Sequence, residues 1–144
     1  MRYMGVDLGS KRIGIALSDP TGMIASPLLV IERKGGRRDL QEVVDLARDY
    51  DVELIVVGLP VDLKGEQGVA AQNALVEIEA LRALAAVPVE TYDERLTSAA
   101  AQRVLRAGGL DSRGQRGVVD KVAAAMLLQS YLEQRRQHDG SQQA

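Results

Sequence analysis

No cysteine occurs anywhere in the 144 residues, which excludes disulfides, thiolate metal sites and cysteine nucleophiles. There is one histidine, His138, in a polar stretch near the end, a poor setting for a histidine general base or a zinc site. Phenylalanine and tryptophan are absent and tyrosine occurs four times, so platforms on which splayed bases could stack are scarce. No apolar run approaches the roughly 18 residues that read as a membrane span. The first residues enter a strand pattern directly, with no secretory leader pattern, and the sequence reads as cytoplasmic with no membrane partner. If a metal is held, carboxylates must hold it, which selects Mg²⁺ or Mn²⁺.

What is present is ordinary globular composition, 46% apolar and 26% charged, in a length suited to one domain with a real core. Net charge is −2, but it is unevenly spread. Residues 1–38 carry seven Lys/Arg against three Asp/Glu, residues 39–94 three against thirteen, and residues 95–144 eight against four. If the two ends meet in the fold, one face is basic, and a local basic field is what binds phosphate.

The stretch MGVDLGSKRIGIALSD organises the reading. Residues 3–8 are an apolar run carrying Asp7, Gly9-Ser10 break it, and Ile13, Ile15 and Leu17 alternate as in a second strand. Asp7 is open to two readings, an acid that caps the turn or a metal ligand at the end of a central strand. Residues 23–31 read as a third strand, with Pro27 placing it at an edge or a bulge. A basic, glycine-containing loop spans 33–38. Leu40, Val43, Val44, Ala47 and Tyr50 form one helical stripe, and Ala71, Ala74, Leu75, Ile78, Leu81 and Ala85 another.

Between these helices the run 54–57 reads as a parallel strand buried on both faces, with a loop over 61–68. A fifth strand starts at Val89 and runs into Asp93-Glu94-Arg95. A third helix is expected from Ser98 to a stop at Gly108-Gly109, then a loop over 111–117. The last helix carries Asp120, Ala123, Ala124, Leu127, Leu128 and Tyr131 on one stripe, which sets Asp120 toward the sheet. The order β-β-β-α-β-α-β-α-α gives an α/β fold, a five-stranded mixed sheet with helices on both faces and its parallel strands, from Tyr3, Leu54 and Val89, in the centre. The domain is 1–135, and 136–144 is expected to be a disordered polar tail.

Ligands of such sheets sit at the carboxyl ends of the strands, where Asp7 and Glu94 fall. Glu94 could instead pair with Arg95, and Asp120 could serve a helix start. Taken together, three carboxylates at one place make a divalent-metal site able to act on a phosphodiester.

GVDLGSKRIGIALSD, VVGLPVDLKGEQG, VETYDERLTSAAA and VVDKVAAAMLLQSYL resemble, in this order, the motifs of the YqgF/RuvX family. That family is described as pre-16S rRNA nucleases related to Holliday-junction resolvases of the RNase H-like superfamily. The resemblance implies an RNase H-like fold and a metal-dependent endonuclease with Mg²⁺ or Mn²⁺. It places Asp7, Glu94 and Asp120 at the acidic positions of the active site and Lys11, Arg12 and Arg95 at its basic positions. Arg113 and Arg116 are further candidates for phosphate contact, from their place in the basic final segment. The expected partner is a 16S rRNA precursor, with a four-way DNA junction as the alternative, and the expected state is a monomer or weak homodimer.

The sequence departs from the pattern in two ways. Many RNase H-like nucleases carry an acid where this chain has Gly58-Leu59-Pro60, and Glu94 takes that role from the neighbouring strand. Asp62, Lys64 and Ala100 also differ from the residues common in the family. Two other readings compete. GVDLGS is similar to the first phosphate-binding strand of sugar kinases and actin-like ATPases, which need two such domains. A non-catalytic RNA- or ribosome-binding module would keep the acids for structure.

Overall fold

The computed structural model describes residues 1–60, 68–96 and 113–143. Five strands, β1 (Tyr3–Leu8), β2 (Arg12–Ser18), β3 (Ala25–Glu32), β4 (Leu54–Leu59) and β5 (Val89–Asp93), form one sheet in the order β3-β2-β1-β4-β5. β2 is antiparallel to β1 and β3 to β2, whereas β4 runs parallel to β1 and β5 parallel to β4. Helices α1 (Arg37–Asp49) and α2 (Val69–Leu84) cover one face and α3 (Arg113–Gln143) the other. A single 3₁₀ turn, Glu94–Leu96, follows β5.

Strand alternation divides the core. Met4, Val6, Ile55 and Val57 point to α1 and α2, and pack there with Leu40, Val43, Ile78 and Leu81. Tyr3, Leu54 and Val56 point the other way, against Ala124, Leu127, Leu128 and Leu132 of α3. β4 is buried at all six positions, as its unbroken apolar run requires. α1 stops where Asp51 adopts a φ of 56 and the Val52 N–H returns to the Ala47 carbonyl at 2.8 Å, which turns the chain directly into β4.

Pro27 lies in the edge strand β3, as expected, and the pairing skips one residue there. Ile15 faces Leu29 but Ala16 faces Pro27, so Leu28 is the extra residue of a bulge.

Three expectations need correction, and others fall outside the described residues. The strand from Val89 is parallel, but it stands at the edge of the described sheet, with Glu90 and Thr91 exposed. The last helix begins at Arg113, inside the expected loop 111–117. It also runs through Gln143, so the polar tail is helical. Its Glu, Gln and Arg are good helix formers and propagate a helix already anchored by Leu128 and Leu132, and Arg135 lies 5.5 Å over the Tyr3 ring. The expected third helix and the loop residues 61–67 lie outside the described residues, as do Asp62, Lys64 and Ala100. Among the described residues no helix is long and apolar enough to cross a membrane.

Candidate active site

Asp7 is the penultimate residue of β1, and its backbone partner across the hairpin is Gly14. Directly opposed residues share a face, and that face is the one under α3. A methyl group on Gly14 would lie 2.1 Å from the Asp120 carbonyl oxygen, so the helix backbone at Asp120 rests on the strand where Gly14 leaves room. Gly5 does the same one turn further along, where a Cβ would meet the Ala124 carbonyl oxygen at 2.7 Å and the Leu128 Cβ at 2.8 Å. Two glycines on the α3 face of β1 and β2 thus let α3 approach closely enough to bring Asp120 over the end that carries Asp7.

Glu94 reaches the same face from β5. It opens the 3₁₀ turn, and its side chain folds back over β4. A Cβ on Gly58 would sit 2.6 Å from Glu94 Oε1, 3.0 Å from Cγ and 3.2 Å from Cδ. Glu94 therefore occupies the volume that a side chain at position 58 would fill. The acid missing from the end of β4 has its space taken by a carboxylate from β5.

Asp7, Glu94 and Asp120 are 2%, 5% and 3% exposed, an unusual depth for carboxylates. They share one sheet face at the carboxyl end of β1. Among the described residues no group of three or more His, Cys, Asp or Glu side chains is already disposed to enclose a metal ion. The donors gathered here are carboxylate oxygens, which suit a hard divalent cation. Ionised carboxylates buried at one end of one face also repel one another, a cost that a cation relieves.

The basic candidates divide. Lys11 is exposed at the hairpin tip, where the Gly9 N–H donates to the carbonyls of Asp7 (3.1 Å) and Arg12 (2.9 Å). Arg12 is largely covered, and its Nε lies 3.4 Å from Glu32 Oε1. Arg95 clasps Asp93. Its Nη2 donates to Oδ2 at 2.6 Å, its Nε to both oxygens, and its backbone N–H to Oδ1 at 2.9 Å. That guanidinium holds the Asp93 carboxyl below its ordinary value. Arg113 and Arg116 lie on α3 upstream of Asp120, and their side chains are outside the described residues.

The model of the RuvX family, described as Holliday junction resolvase, matches residues 1–134. A protein of Desulforudis audaxviator named "Putative pre-16S rRNA nuclease" is 43% identical over 136 residues, covering 94% of this chain and 96% of its own. One of the same name from Syntrophus aciditrophicus is 42% identical over 133 residues, covering 92% and 89%. The chain belongs to the RuvX family.

Two solved structures place this RuvX-family chain among resolvase folds. RuvC of T. thermophilus, solved in complex with a Holliday junction substrate, superposes with a TM-score of 0.58 at 18% identity, covering 94% of this chain and 96% of that one. The fowlpox virus Holliday junction resolvase gives 0.53 at 19%, covering 93% and 99%. At that identity the likeness is one of fold, and it bears out the RNase H-like α/β sheet.

Gly14 and Gly58 each stand within a strand of this RuvX-family chain. An isolated glycine within a strand does signal close approach, but it does not say which partner arrives.

Proposed function

We propose that this chain is a divalent-metal-dependent endonuclease of the cytoplasm that cleaves structured nucleic acid, with a 16S rRNA precursor as substrate. The observation that carries the reading is the burial of Asp7, Glu94 and Asp120 on one face, at one end of the sheet, from three separate stretches of chain. Relatives over 40% identical along nearly the whole length are named for that substrate.

In this reading Asp7, Glu94 and Asp120 would hold Mg²⁺ or Mn²⁺, whose chemistry there would be to polarise a phosphodiester and to acidify a water. Asp7 stands on the central strand and Asp120 on a helix seated on glycines, so the backbone that carries each donor is set in advance and only the side chains close on the cation. Glu94 is held over Gly58 by the 3₁₀ turn, and Arg95 fixes that turn through Asp93. Lys11, exposed beside the Asp7 end, contacts phosphate, with Arg113 and Arg116 further along. Arg12 is tied to Glu32 and contributes chiefly to the rim's field. A monomer suffices for trimming one strand, whereas resolving a junction needs two symmetric cuts and hence a two-fold dimer.

The test is cleavage by Asp7→Asn, Glu94→Gln and Asp120→Asn with Mg²⁺ or Mn²⁺, on a precursor rRNA fragment and a four-way DNA junction side by side. Each variant should lose cleavage while its melting temperature holds or rises, because repulsion is relieved. A residue whose variant keeps full activity is not an essential ligand. Paired nicks in the junction by a stable dimer, with precursor rRNA left intact, would replace the substrate. Binding of RNA without metal-dependent cleavage would make the chain a binding module.

A further inference from the structure

The turn between β3 and α1 has no part in the carboxylate site, yet it stands at the same end of the sheet. β3 runs parallel to β1 through two antiparallel pairings, so its carboxyl end lies where that of β1 does. The Arg33 N–H donates to the Lys11 carbonyl at 3.0 Å, which ties the turn to the hairpin tip. A concavity of about 570 Å³ opens between turn, tip and α2, lined by Ser10, Gly35, Gly36 and Arg37 among others.

The turn is built rather than loose. Buried Asp39 accepts the N–H groups of Lys34 at 3.0 Å and Gly35 at 3.1 Å from beneath. Gly35 and Gly36 take φ values of 92 and 77, and a side chain on either would meet nothing within 4 Å. Their glycine identity serves the left-handed backbone, and the space above them is open.

Charge at this rim is not balanced locally. Arg12 is paired with Glu32 and Arg33 with Glu77 at 2.6 Å. Lys11, Lys34, Arg37 and Arg38 are exposed and form no ion pair with the described residues. Glu42, Asp45 and Asp49 line a groove that starts at Lys34, and Asp45 and Asp49 are met by Arg48 at 3.5 and 3.7 Å, so the four unpaired cations remain a local basic field within a chain of net charge −2. No aromatic ring stands at this rim. Tyr3 and Tyr92 each set their ring 6.0 Å from that of Tyr131 on α3, and Tyr50 caps the far end of α1. A surface with free cations and no stacking groups grips backbone phosphates, and it suits a duplex, whose bases are not offered.

We propose that Lys34, Arg37 and Arg38, with Lys11, form a phosphate-backbone contact for a duplex arm of the substrate, round the sheet edge from the carboxylates. The inference rests on the nucleic-acid reading above and adds where a second segment of a structured substrate is held. The contact is indifferent to base sequence.

The experiment measures binding of the full chain to a fluorescent RNA hairpin with a single-stranded flank, in EDTA so that nothing is cleaved, from 50 to 300 mM salt. Each phosphate contact contributes about 0.7–0.9 to the slope of log affinity against log salt. The triple variant Lys34→Ala/Arg37→Ala/Arg38→Ala should flatten that slope by about 2–3 and weaken binding at least tenfold at low salt. Affinity for an unstructured oligomer of equal length should fall much less. Since the three side chains are exposed, the melting curve should match wild type and certify the fold. An unchanged slope in the variant overturns this contact, whatever cleavage assays show. A flattened slope in a chain that never cleaves with metal supports the contact and removes the nuclease reading instead. Failure of wild type to bind the hairpin overturns both.

Discussion

Replacing Gly58 by alanine adds one methyl group whose three nearest neighbours are all atoms of Glu94. The new Cβ would stand 2.6 Å from Glu94 Oε1, whereas ordinary contact begins at 3.4 Å. The carboxylate must retreat by about 0.8 Å, and a misplacement of about 1 Å at a reacting centre costs on the order of 10²-fold in rate. Stability moves in neither direction by much. Removing glycine from a strand gains roughly 0.5–1 kcal/mol, and forcing the glutamate off its preferred rotamer costs a similar amount, roughly 0.5–1.5 kcal/mol. Gly58→Ala should therefore melt within a few degrees of wild type while cleaving about a hundredfold more slowly under single-turnover conditions. Its metal requirement should also shift to higher Mg²⁺ or Mn²⁺. Combining it with Glu94→Gln should add little further loss, because both changes act on the same carboxylate. Wild-type rate and metal dependence in Gly58→Ala would refute the idea that Glu94 works from that position.

Gly14→Ala makes the contrast, since its Cβ would meet helix backbone at 2.1 Å. It should lose roughly 1–3 kcal/mol or more, seen as a large fall in melting temperature. Asp39→Asn should destabilise the β3–α1 turn, in which the Lys34 N–H holds the Asp39 carboxyl below its ordinary value. A lowered folded-state value stabilises above the ordinary carboxyl value of 3.8 and the benefit is lost as pH falls through the folded value. The gap between wild type and variant in denaturant titrations should thus be full at neutral pH and narrow below about pH 4. Arg95→Ala removes the clasp on Asp93, whose carboxyl then titrates nearer its ordinary value, and loosens the turn that carries Glu94, so single-turnover cleavage should slow. Stability should change by less than about 1 kcal/mol, the range of partly exposed pairs.

Most of the architecture was legible because it depends on periodicity. Ile13, Ile15 and Leu17 alternate, Leu40 to Ala47 repeat at helical spacing, and Pro27 cannot donate to a ladder, so the hairpin, α1 and the edge strand followed directly. Burial of Asp7, Glu94 and Asp120 on one face was within reach for the same reason. The rest was not legible because it depends on pairs distant in sequence. Nothing about Gly58 as a residue reveals that Glu94 folds over it, and nothing in EQRRQ decides between a frayed tail and a helix held by Leu132. The Val89 strand has the composition of an inner strand at its first position only, and its exposed Glu90 and Thr91 fit the edge. The basic turn at 33–38 was visible as a charge run, but its rigidity comes from Asp39 reaching up beneath it, which only coordinates disclose.

The bulge at Leu28 bears on how copies of this chain can meet. An outer strand with a complete row of donors invites a neighbour's strand to lengthen the sheet. Here Pro27 offers no N–H, and the Ala25 N–H is already taken by Gln129 Oε1 at 2.8 Å. The first half of β3 is thereby poisoned as a template, and the extra residue twists what is left away from a straight partner. A second copy therefore cannot extend the sheet through the first half of β3, and of the two edges of the described sheet it is this one that its own sequence closes to a neighbour's strand.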